Sequence, residues 1–111
     1  MNLKVVIEGN SQIIPVPDYL LIEAIDYFEM MDKSMEGGYQ MSQYWVEKPD
    51  IFQCCQIAAD KLLTALHTQN ENTYTLMAAY ILSRLPDTQI VVLSPDGDMN
   101  EHNIDDIDLE I

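Results

Sequence analysis

Between Asn70 and Pro86 the chain carries Tyr74, Leu76, Met77, Ala78, Ala79, Tyr80, Ile81, Leu82 and Leu85. Read as a helix over 71–85, this segment is apolar around most of its circumference. A helix without a polar face has to be surrounded by the rest of the fold. Asn70 or Asn72 supplies its cap and Pro86 its stop.

The surroundings are legible on either side. Residues 49–68 read as a helix, with Pro49 at its first position. Ile51, Cys55, Ala58, Leu62, Ala65 and Leu66 form its apolar stripe, and Gln53, Gln56, Asp60, Thr64 and His67 its polar one. The short polar link to 71–85 makes the two an antiparallel pair, and Ala58, Ala59, Ala78 and Ala79 allow close approach. A further helix over 18–35 starts at Asp18 as N-cap and stops at Gly37-Gly38. Its stripe is Leu20, Ala24, Phe28, Met31 and Met35. Glu23, Asp26, Glu29 and Asp32 step by three along the other side and read as a solvated face.

Strands bracket these helices. Leu3-Lys4-Val5-Val6-Ile7 is β-rich and ends in the turn cluster Glu8-Gly9-Asn10-Ser11. Residues 13–17 are extended, because each proline drives its predecessor out of the helical region. Gln89-Ile90-Val91-Val92-Leu93 is the second strand, followed by turn chemistry in Ser94-Pro95-Asp96-Gly97. Residues 99–104 are expected to return as a hairpin strand, and 105–111 to fray as an acidic tail. Residues 39–48 show no clean period and read as a structured connection with a helical turn.

The fold class is therefore α+β, a single domain over 1–111. Three helices (about 18–35, 49–68 and 71–85) pack on a small sheet in which strands 3–7 and 89–93 are neighbours. So thin a sheet leaves open edges, which a homodimer would cover.

Composition enters at the surface. The chain is 48% hydrophobic yet has nineteen acidic residues against five Lys and Arg, a net charge of −14. That charge disfavours nucleic acid and anionic membrane surfaces as partners and favours a basic protein surface. The acidity is uneven: residues 51–86 balance Asp60 and Glu71 with Lys61 and Arg84, while the ends carry the excess. No apolar run approaches the ~20 residues a bilayer span needs. The N-terminus lacks the apolar stretch of an export leader, and adjacent Cys54 and Cys55 cannot bridge each other on a helix. These features point to the cytoplasm.

Chemistry-bearing motifs are few. Asp96, Asp98 and Asn100 reproduce the opening of a calcium loop, and Glu101 and His102 could add ligands. The sixth position of that loop should be Gly and is Glu101, and the twelfth should be Glu and is Ile107. A solvated β-turn accounts for these residues better. Neither histidine follows a Glu by three, as a di-metal bundle requires. No nucleophile motif or phosphate-cradling glycine loop is present, so the chain is not read as an enzyme and no cofactor is expected. The remaining signal is Tyr39, Met41, Tyr44 and Trp45, residue types that build adaptable contact surfaces. The expected function is a non-catalytic interaction or regulatory module. The alternative is a small-molecule or divalent-metal binding protein, with its site under residues 37–45 or at the 96–102 turn.

Overall fold

The computed structural model describes residues 1–106. Its order is β1 (Asn2–Ile7), β2 (Asn10–Pro15), α1 (Leu20–Glu23), α2 (Ile25–Glu36), β3 (Tyr39–Met41), β4 (Tyr44–Val46), α3 (Ile51–His67), α4 (Glu71–Arg84), β5 (Thr88–Leu93) and β6 (Asn103–Asp106). Four helices pack on a mixed sheet of order β2-β1-β5-β6, with β3-β4 as a separate two-stranded sheet. The α+β class holds, and β1 and β5 are neighbours in parallel register, Val5 opposite Val91.

Pleating sorts the sheet's residues. Leu3, Val5, Ile14, Val91, Leu93 and Ile104 are buried and belong to the core shared with the helices. Their neighbours Lys4, Ile13 and Val92 fall on the opposite, open face, as the alternation of side chains requires. α4 sits in the middle of the helical layer: Met77, Ala78, Ala79, Tyr80, Ile81 and Leu82 are all buried. α3 buries Ala58, Ala59, Leu62 and Leu63.

Several expectations are corrected. The segment 18–35 is two helices, because Ala24 leaves helical geometry (φ −97°, ψ 12°) and lets α1 turn to pack on α4. Asp18 is not the N-cap; its carboxylate lies 3.2 Å from the N-terminal ammonium, and Tyr19 holds the cap position without a side-chain bond. Pro49 stands outside α3. Asp50 caps that helix instead, its carboxylate accepting from Gln53 N–H at 2.8 Å while Gln53 Oε1 accepts from Asp50 N–H at 3.0 Å. The extended stretch ending at Pro15 is a paired strand, joined to β1 through Glu8 and Gly9 in left-handed conformation (φ 52° and 82°). Residues 39–46 form a hairpin rather than a helical turn. The return strand starts at Asn103, because Met99–Glu101 is a 3₁₀ turn. Of the expected frayed tail, Asp105 and Asp106 pair with β5, and 107–111 lie outside the described residues.

Candidate binding cleft and aromatic hairpin

α2, the start of α3 and the end of α4 enclose a half-open cleft of about 570 Å³. The capping box fixes where α3 begins, so Pro49, Ile51 and Cys54 face it from one side. The last turns of α2 supply Asp32 and Met35, and α4 supplies Tyr80 and Arg84. The volume falls in the range of small-molecule sites.

At its inner wall Asp32 joins two helices. The Tyr80 hydroxyl donates to Asp32 Oδ1. Arg84 donates to Oδ2 from Nε at 3.1 Å and Nη2 at 2.5 Å, and from Nη1 to Ser83 Oγ at 3.0 Å. The guanidinium also lies 5.0 Å from the Tyr80 ring centroid and 5.9 Å from that of Phe28. Burial, reinforced by the bond to Asp32, pushes the Tyr80 hydroxyl well above its ordinary pKa. Burial alone would lower Arg84, but its bonds to Asp32 outweigh this and hold it above its usual value.

The thiols are not activated. Burial and then the Asp32 charge raise Cys54, which donates to Pro49 C=O at 3.8 Å. Burial pushes Cys55 up to about 12. Both remain protonated near neutrality, and a thiol is a poor nucleophile. The cleft can hold a molecule non-covalently; its residues form no nucleophile–base pair.

The hairpin separates its four candidate residues. Met41 is fully buried, and its carbonyl accepts from Asn100 Nδ2 at 3.0 Å. Ser42 Oγ accepts from Met99 N–H at 2.9 Å, so the turn is fastened to the segment before β6. Tyr39 is half-buried, its ring 5.9 Å from Lys61 Nζ. Tyr44 and Trp45 stand out, 62% and 58% exposed. Glu36 and Lys48, on either side of the hairpin segment, line the cleft, and none of residues 37–47 does.

The 96–102 residues do not converge on a common point. Gly97 N–H donates to Ser94 C=O at 3.0 Å, closing the expected turn. Asp98 Oδ1 accepts from Asn100 N–H at 3.0 Å, and Glu101 Oε1 from Ser94 Oγ at 3.3 Å. His102 points inward: Nδ1 accepts from Ser94 N–H at 2.9 Å, leaving Nε2–H to donate to Asp60 Oδ1 at 3.2 Å. Gln56 Nε2 donates to the His102 carbonyl at 3.0 Å. Among the described residues, no group of three or more His, Cys, Asp or Glu is placed to hold a metal ion.

Of the acidic face of α2, Glu29 and Asp32 line the cleft and Asp26 does not, while His67 ends α3 about 24 Å from its start. Sequence reasoning missed Asp32, Tyr80 and Arg84 as a unit. One signal was present: a tyrosine within the apolar run 76–82 needs a partner for its hydroxyl. Comparison of the chain with protein-family models, with curated proteins and with solved structures finds no match.

Proposed function

We propose that this chain is a non-catalytic binding module that recognises a basic protein surface through the β3–β4 hairpin. One observation carries the reading: Tyr44 and Trp45 are displayed to solvent on a hairpin whose buried Met41 and bonded Ser42 hold it to the body. Exposed aromatics on a fixed support lose little conformational freedom on binding, the property of interface anchors. Exposed Glu47, Lys48 and Asp50 follow the hairpin, and the net charge of −14 draws cationic surfaces toward the molecule as a whole. The cytoplasm fits the reading, since free Cys54 and Cys55 stay reduced there.

The test is a titration of the full chain with Arg- and Lys-rich peptides bearing one apolar anchor. The Trp45 indole resonance is expected to move, with affinity falling as salt rises. Tyr44→Ala/Trp45→Ala should weaken binding about tenfold or more and leave stability nearly unchanged. A large loss of stability, or resonance shifts confined to other surfaces, would remove the reading.

The open sheet face favours self-association as well. Ile13, 56% exposed, pairs with Lys4 there, and Val92, 37% exposed, pairs with Val6 on the same face; a second copy would cover both. Sedimentation equilibrium at micromolar concentration should give a dimer mass; a monomer mass excludes it.

A further inference from the structure

The cleft differs electrostatically from the rest of the molecule. The chain has nineteen acids and five bases, and three of each line this one site: Glu29, Asp32 and Glu36 with Lys33, Lys48 and Arg84. A strongly anionic body thus keeps most of its cations around a charge-balanced cleft. Its apolar lining runs from Met35, 2% exposed, through half-buried Pro49 and the protonated Cys54 to Ile51, 58% exposed at the start of α3.

The Asp32–Arg84 pair leaves capacity on both partners. Arg84 has five N–H donors, and three hydrogen bonds are made to Asp32 and Ser83. Asp32 has about four lone-pair sites, and it accepts from Tyr80 once and from Arg84 twice. Spare donors on Arg84 and a spare acceptor on Asp32 therefore line one cleft with Met35, Ile51 and Cys54. A carboxylate alone would approach against a charge of −14, and an amine alone would find acidic groups over much of the surface. A neutral dipolar molecule meets no net repulsion and uses both members of the pair.

We infer that the cleft between α2, α3 and α4 binds a small zwitterion with an apolar body, of the class of free hydrophobic α-amino acids. Its carboxylate takes the remaining Arg84 donors, its ammonium the remaining Asp32 acceptor, and its side chain lies against Met35, Ile51 and Cys54. No covalent step is involved. The site is distinct from the exposed aromatics of the hairpin.

The test uses the full chain with L-leucine, L-methionine and L-phenylalanine, each against its amine-only and carboxylate-only analogue. The readouts are thermal unfolding and the Met35 methyl resonance. At ten times Kd, mass action raises the midpoint by about 5 °C. The zwitterions are expected to give this shift and the half-molecules less than about a third of it. Ile51→Glu puts a carboxylate at the first residue of α3, where a helix tolerates it, and should abolish the shift while folding normally. Tyr44→Ala/Trp45→Ala should keep it, which separates this site from the hairpin. The inference is overturned if no hydrophobic amino acid moves the Met35 resonance, if either half-molecule matches its parent, or if Ile51→Glu retains the shift.

Discussion

Tyr80 and Asp32, forty-eight residues apart, are joined by a hydrogen bond from the phenol to the carboxylate, and that carboxylate also takes two bonds from Arg84. One side chain of α2 thereby fixes the central helix of the core. Asp32→Asn removes the charge and keeps one acceptor, so an amide donor faces either the guanidinium or the Tyr80 hydroxyl. The Asp32 side chain is 42% exposed and that of Arg84 23%, so the loss falls short of that for a fully buried pair. We expect about 2 kcal/mol, or roughly 8 °C in Tm. Arg84→Lys retains charge without the fork or the ring stacking and should cost about 1 kcal/mol. Urea midpoints unchanged in both variants would show that the pair does not secure the helices.

Alkaline pH should act through protons the folded chain retains. Cys55 is fully buried and its thiol titrates near 12, against 9.0 when unperturbed. Its contribution is complete below pH 9 and is lost as pH rises, because the unfolded chain gives up the proton first. The loss is about 1.4 kcal/mol per pH unit, roughly 4 kcal/mol by pH 12. Tyr80 and Cys54 are raised too and add to the slope. Cys55→Ala should flatten the fall in urea-derived stability between pH 9 and 11 by one proton. A wild-type curve flat to pH 11 would contradict the burial of this thiol.

The fold was legible where one stretch of sequence carried its own reason. The all-apolar run around Tyr80 required a central helix, Asn70 was available to cap it, and the β-branched runs at 3–7 and 89–93 found each other. Pairing was harder to read. Pro15 disguised β2, although proline is tolerated at the end of an edge strand. Residues 39–46 broke the alternation of a hairpin because adjacent Tyr44 and Trp45 are both exposed. Asp32 was unreadable for a different reason. Its spacing matched Glu23, Asp26 and Glu29, and what distinguishes it from them is Tyr80 and Arg84, forty-eight and fifty-two residues away. The cleft likewise draws on three helices whose proximity no local pattern encodes.

His102 is 1% exposed, and its Nδ1 accepts a backbone N–H, which sets the neutral Nε2–H tautomer facing Asp60. Nitrogen-15 correlation spectra at neutral pH should show that tautomer, and the Ser94 amide should exchange slowly. Asp60→Leu leaves Nε2–H without its acceptor. It should cost about 1–3 kcal/mol and speed exchange at Ser94 and its neighbours. An Nδ1–H signature would place the ring differently.

The Trp45 ring rests on Gly38. At φ +114° Gly38 occupies a conformation that L-residues rarely adopt, and an added Cβ would lie 2.3 Å from Trp45 Cζ2. Gly38→Ala therefore combines backbone strain with a collision, at about 1–3 kcal/mol. Trp45 is already 58% exposed, so the ring can yield by moving farther into water, and its fluorescence should shift to the red. Adding Trp45→Ala relieves the collision and leaves the strain. The double-mutant cycle should accordingly show a coupling of about 1 kcal/mol between the two positions. Additive effects would mean that the indole does not rest on this glycine. If the hairpin is the recognition surface, Gly38→Ala should also weaken capture of cationic peptides without touching an exposed aromatic, because it moves the anchor and leaves its chemistry intact.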